Sequence, residues 1–409
     1  MDDRRRVVVS GLGCVSSLGS SVPAITAALL AGATGASRVP FEMPGLRSRL
    51  GCFVRDFDAA RYLAPLKLRR IDTIGRFAVA ATTDALADAG VPSEGSGREH
   101  IGVVLGTHTG GVESTGEYLQ RYKESPTNSP PMLFASTVGN AAASLAALEL
   151  GLRGPNATLT QKEASSLSAV VMATELVRRG RADALATGGA DELYRHFYRI
   201  HDWFGVLATA VDDVEAARPF DESRNGMVLG EGASVLVIEN EDTCLARGGR
   251  VYAEIAGVGS ASGPAGINQW PDDPEPLSRV IRSCLADAGV SAGEVDAVYA
   301  SANGSRVLDR TEARALRLVF GPTLPVVTSL KGAFGECGLG GATSIIGAIA
   351  AGASGLVAPT AGFRRTASDC GIEAPTEPVR LRGPHVLVAS VASGGAHHAV
   401  LLRLRELVE

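Results

Sequence analysis

No run of this chain is both long enough and apolar enough to read as a membrane span. The longest candidate, "ATSIIGAIAAGASGLVAPTAG" from Ala342, is interrupted by Ser, Thr, Gly and Pro and is rich in alanine rather than leucine. A buried helix is expected there instead. Concentrated positive charge is equally scarce. The net charge is −5 and the largest cationic cluster is Arg4-Arg5-Arg6, just ahead of a strand, which argues against nucleic acid as a partner. The six cysteines (Cys14, Cys52, Cys244, Cys284, Cys337, Cys370) stand singly, with no CxxC pair, no metal-ligand spacing and no signal peptide ahead of them. A reducing cytoplasm is the expected location. HxH and HxxxH spacings are missing among the seven histidines. The adjacent His397 and His398 would point to opposite faces of a strand, so no metal is expected. "GLGCVS" near Gly11 has neither the helix start nor the following acidic residue that a dinucleotide loop requires.

What is present is an internal echo. "LADAGV" occurs at Leu86 to Val91 and again at Leu285 to Val290. Each copy ends a helical pattern with an Ala-Gly stop. A polar turn and a short apolar run follow each: "IGVVLGTHTGG" from Ile101 and "VDAVYASANGS" from Val295. Later in each half comes another apolar strand ending in small residues, "ADALATGGAD" and "HVLVASVASGGA". The repeated order, and strands that are continuous rather than alternating apolar runs, predict a duplicated α/β unit with buried sheets. At 409 residues two halves are a natural division. The predicted halves are residues 1–250 and 251–409, joined between residues 240 and 260, with a site where corresponding strand ends meet.

"TLTQKEASS" carries the chemical question. A β-type run, Ala157 to Thr160, meets a helical pattern beginning near Ser165. Such turns are where α/β enzymes mount a nucleophile, because free amides and the helix dipole stabilise an anion. This turn offers Gln161, Lys162 and Glu163, with no cysteine or serine at its centre.

Around that turn the chain carries, in order, "VVVSGLGCVSSLG", "LRRIDTIGRFAVAATTDALADAG", "GLRGPN", "RRGRADALATGGADE", "RPFDESRNGMVLGEGASVLVIE", "SANGSRVLDRTEARALRLVFG" and "SLKGAFGE". Over nearly its whole length it therefore resembles the β-ketoacyl synthases of the thiolase-fold superfamily. The resemblance implies a thiolase-like α/β fold of duplicated α-β-α-β-α layered halves with pseudo-twofold symmetry. It also implies a cysteine nucleophile that takes the acyl chain and two histidines that assist decarboxylation and stabilise the enolate. Here the nucleophile position falls on Glu163, the first histidine position on Asn303 and the second on Glu336. Lys331, Asp309 and Glu312 are retained, and the glycine-rich C-terminal turn, "VASGGAHH", lacks a phenylalanine.

A carboxylate carries no stable acyl thioester, so no catalytic residue is expected in this chain. The pattern resembles the ketosynthase-β subunit, or chain-length factor, of type II polyketide synthases. That resemblance implies a ketosynthase-α partner in a heterodimer, an acyl carrier protein whose phosphopantetheine bears the chain, and no cofactor of the chain's own. The subunit would shape the tunnel during decarboxylative Claisen condensation. Two alternatives stand: a ketosynthase-type malonyl-carrier decarboxylase making starter units, and a homodimeric module binding acyl thioesters or carrier protein. Family logic places the tunnel and interface at Gly106–Gln120 and Asn128–Ser144, with Thr109, Val112, Leu133 and Phe134 narrowing it and Met227 relaxing the fit. The simplest structural roles are a helix-terminal anion paired with Lys162 or a buried neighbour for Glu163, local backbone bonding for Asn303, and an ion pair with Lys331 for Glu336.

Overall fold

Apolar runs become the strands of one sheet. The computed structural model describes residues 5–92 and 97–405; Arg4 of the basic run and the outer ends of the two predicted halves lie outside them. Ten strands, β1 (Val7–Val15), β2 (Ile101–Gly106), β3 (Asn156–Leu159), β4 (Ala184–Asp191), β5 (Gly232–Asn240), β6 (Ala253–Ser262), β7 (Ala297–Tyr299), β8 (Val326–Thr328), β9 (His385–Val391) and β10 (Ala396–Leu404), lie in the order β3-β2-β4-β5-β1-β6-β10-β9-β7-β8. Read outward from the middle, the two halves have the same plan. In each, two parallel pairings at the edge (β2 with β3 and β4; β7 with β8 and β9) give way to antiparallel ones nearer the centre. These are β4–β5 and β5–β1 in one half, and β9–β10 and β10–β6 in the other. Within the sheet, the described ladder between the halves is the pairing of Val8 with Glu254 and Val9 with Ala253.

The helices explain why strands such as β1 and β5 are buried along their entire length. On one outer side lie α1 (Thr73–Asp88) and α2 (Ala141–Leu150), and between the halves runs α3 (Ser165–Arg178). On the other outer side lie α4 (Glu275–Ala288) and α5 (Arg306–Phe320), while α6 (Gly340–Gly352) packs on α3 in the middle. Three apolar cores follow from this layering. One surrounds α3 and α6, one lies under α4 and α5, and one under α1 and α2. The fold is thus a layered, thiolase-like α/β architecture with pseudo-twofold symmetry.

Local signals set the helix ends. Asp72 caps α1 by accepting from Gly75 N at 3.0 Å. Both echoed stops work as the Ala-Gly pattern implies, with Gly90 at φ 72° and Gly289 at φ 65° beyond α1 and α4. The alanine-rich run from Ala342 forms α6 and is buried through Ile349.

Candidate functional site

The C-terminal ends of β2, β4, β7 and β9 converge, and in sheets of this kind the loops leaving those ends form the ligand crevice. Gly106 closes β2 and permits α3 to begin against it, since a Cβ there would stand 2.2 Å from the Ser165 carbonyl group. Between β3 and α3 lies a one-turn helix, Lys162–Ala164, that presents Glu163.

Glu163 is 3% exposed. A buried carboxylate needs donors, but amides on either side of the start of α3 are committed elsewhere: Ala164 N to Gln161 O at 3.1 Å and Ser166 N to Gly338 O at 2.8 Å. Instead the carboxylate accepts from Ser393 N at 3.0 Å and from Ser393 Oγ at 3.0 and 3.1 Å. Glu163 thus stands in the first turn of the short helix leading into α3 but takes its hydrogen bonds from Ser393, and it is not the partner of Lys162, whose Nζ turns to Asn268 Oδ1 and Ser393 Oγ. Its neighbour is the half-buried Ser393 of the glycine-rich turn after β9.

Asn303, Lys331 and Glu336 come together as one closed set. Lys331 Nζ pairs with Glu336 Oε1, Asn303 Nδ2 donates to Glu336 Oε2 at 2.7 Å, and Cys337 N donates to Glu336 Oε1 at 3.0 Å. Asn303 Oδ1 also accepts from Ser305 N at 2.9 Å, so the residue serves both its own turn and Glu336. Met227 is buried with its sulfur 3.7 Å from Asn303 Nδ2. Burial opposes the charge on Lys331, yet the Glu336 carboxylate outweighs it and holds the ammonium above its ordinary value.

Two further carboxylates hold the loop that presents Asn303. Asp309 accepts from Phe220 N at 2.7 Å, Asn303 N at 3.0 Å and Gly304 N at 3.3 Å. Glu312 accepts from Ser301 N at 2.8 Å and Ala302 N at 2.7 Å. Burial pushes Asp309 up to about 7 and Glu312 up to about 8.

The four tunnel candidates are placed differently. The Thr109 hydroxyl donates to Asp191 Oδ1 at 3.0 Å, a bond within the loop region after β2. Val112 is the half-buried first residue of the helix Val112–Glu124. Leu133 and Phe134 sit on a one-turn helix, Pro131–Phe134, at the surface. Leu133 lines a surface cleft with Arg70, Arg121 and Met132. Phe134 is 57% exposed, its ring 5.5 Å from that of Tyr118, so it does not narrow a channel inside this chain.

Three features escaped the sequence reading. Asp191, at the end of β4, gathers Thr107 Oγ1 (2.9 Å), His108 N (2.8 Å), Thr109 N (2.9 Å) and Gly338 N (2.6 Å), tying the two halves together. His108 and His201 face each other with ring centroids 6.3 Å apart, both against Phe197. Burial lowers both imidazole values, with the charges of Asp191 and Glu336 bearing on His108 and that of Glu163 on His201. The third is the contact of His398 Nε2 with Gln161 Oε1. A histidine among the small residues of "GTHTGG" at a strand end was the signal available for His108.

Chemically the site is a set of mutually satisfied groups. All six cysteines are buried, and burial pushes the Cys337 thiol, beside Glu336, well above its ordinary value, so none is an activated thiolate. Among the described residues no cluster of three His, Cys, Asp or Glu side chains is arranged to hold a metal ion, and no helix is long and apolar enough to cross a membrane.

Two family profiles match the chain: "Beta-ketoacyl synthase, N-terminal domain" over residues 4–243 and "Beta-ketoacyl synthase, C-terminal domain" over residues 252–364. Nodulation protein E of Rhizobium sp. (strain N33) is 30% identical, with 97% of this chain and 98% of that protein covered. A 3-oxoacyl-[acyl-carrier-protein] synthase 2 of Staphylococcus aureus (strain N315) is 29% identical, with 98% and 99% covered. Among solved structures, the ishigamide ketosynthase/chain length factor superposes with a TM-score of 0.91 at 31% identity, covering 98% of this chain and 100% of that one.

Proposed function

Since the chain belongs to the β-ketoacyl synthase family, we propose that it is the non-catalytic chain-length-determining subunit of a type II polyketide synthase. In this reading it pairs with a ketosynthase-α that supplies the cysteine and histidines. It shapes the tunnel for a chain carried on the phosphopantetheine of an acyl carrier protein during decarboxylative Claisen condensation. The observation that carries the reading is the state of the three catalytic positions. Glu163 is bound by Ser393, while Asn303 and Glu336 are bound to each other and to Lys331. None is left to form a thioester or to donate to one. A partner is also favoured by the exposed apolar group Leu119, Tyr122, Met132, Phe134 and Val138, within and beside the two segments expected at the interface. The ishigamide relative, named as a ketosynthase/chain length factor, is consistent with this assignment.

The decarboxylase alternative has one observation in its favour, the His108–His201 pair whose charge environment includes Glu163 and Glu336. One experiment separates the two. The chain is purified alone and after co-expression with a catalytically complete ketosynthase-α, native masses are recorded, and malonyl-carrier decarboxylation and condensation are measured. A one-to-one complex that condenses, with no turnover by the isolated chain, is the expected result. Decarboxylation by the isolated chain, lost in His108→Ala, would replace the first reading with the second.

A further inference from the structure

Three segments distant in sequence meet over Glu163: the turn Lys162–Ala164, the turn Ala392–Gly395 after β9, and the loop 263–270 after β6. Besides the bonds from Ser393 to the Glu163 carboxylate, Lys162 Nζ bridges Asn268 Oδ1 and Ser393 Oγ. Gly394 N donates to Gln269 O at 2.9 Å and Gly263 N to Gly395 O at 2.8 Å. The loop thus lies across the turn, and the turn across Glu163.

This arrangement carries two costs. Lys162 and Asn268, the two residues that touch, both adopt left-handed backbone, at φ 50° and 59°; asparagine tolerates that region and lysine does so poorly. Beneath the loop, His397 is 0% exposed and neither of its ring nitrogens has a hydrogen-bond partner among the described residues. Its Nε2 lies 3.1 Å from where a Cβ on Gly263 would stand. The unpartnered imidazole beneath the loop favours lifting it, so a compensating interaction must hold the loop down.

We infer that Glu163 is that interaction: a latch that fixes the turn Ala392–Gly395, and through it the loop 263–270, over the closed set Asn303–Lys331–Glu336. The inference rests on the reading that position 163 no longer carries an acyl group. A charge-assisted pair of bonds to one serine, from its N–H and its hydroxyl, is among the stronger contacts a single carboxylate makes. With the latch shut, Glu163, Asn303, Lys331 and Glu336 are each 3% exposed or less. In this subunit, then, the crevice is closed from the side on which the loop lies.

The test uses the isolated full chain and two readouts. Hydrogen exchange is followed in peptides covering 263–270 and 392–396, and alkylation of Cys337 by iodoacetamide is timed by mass spectrometry. Cys284, in the core under α4 and α5, serves as the control thiol. In Glu163→Ala and in Ser393→Ala, both readouts are expected to rise about tenfold or more. Cys284 should stay unchanged and the double variant should match the larger single effect. Unchanged exchange and alkylation in Ser393→Ala, additive effects in the double variant, or Cys284 rising in step with Cys337 would each overturn the latch. Because no partner or carrier protein takes part, a failed condensation assay would count against the proposed function without touching this result.

Discussion

At the scale of single residues, the pair Lys331–Glu336 dominates. Both side chains are buried and each has the other as its main counter-charge. Removing one partner strands a charge in the interior, so Lys331→Met is expected to lower stability by roughly 3–5 kcal/mol in chemical denaturation, whereas the double change Lys331→Met with Glu336→Leu recovers most of the loss. Gly106→Ala would set a methyl against the Ser165 backbone and should cost at least about 2 kcal/mol in the same assay. Residues 163, 303 and 336 were singled out from flanking stretches that are short and local. Ser393, 230 positions from Glu163, was not among them, because nothing in either segment encodes which distant turn will supply the donor. The turn's missing phenylalanine was visible, but what the serine does there emerges only from the fold.

At the scale of elements, β10 shows how a strand can create a pH dependence. Burial lowers His397 and His398 to about 4, from an ordinary value near 6.5. A folded-state value below the unfolded one means the unfolded chain takes up the extra proton, so this contribution to stability is lost as pH falls from about 6.5 to about 4. Relative to the wild type, His397→Leu should therefore gain roughly 2 kcal/mol over that interval, read from denaturation midpoints at several pH values. Comparing variant with wild type matters, because Asp309 and Glu312 act in the opposite sense: their raised values favour the folded state at low pH and lose that advantage as pH rises toward 7–8. Element order and the two Ala-Gly stops were legible in the "LADAGV" echo. The antiparallel direction of β5 and β10 was not, since a strand buried on both faces reads as the same unbroken apolar run whichever way its neighbours point.

At the scale of the whole molecule, the exposed apolar group around Phe134 predicts association. Changing Met132 and Phe134 to Asp should weaken pairing with a ketosynthase-α at least tenfold by analytical ultracentrifugation, while the melting temperature of the isolated chain stays nearly constant because both side chains are exposed. The sequence marked this segment through family logic and through its apolar, proline-led helical character, while the fold shows Met132 and Phe134 without cover. A last consequence comes from the carboxylates that grip main-chain N–H groups around the site. Asp309 and Glu312 hold the loop bearing residue 303, and Asp191 holds the loops after β2 and before α6, through backbone amides that every non-proline residue possesses. The shape of these loops is therefore insulated from the identity of the side chains they display. A substitution confined to the side chain of residue 303 is therefore expected to leave the backbone course of its loop in place.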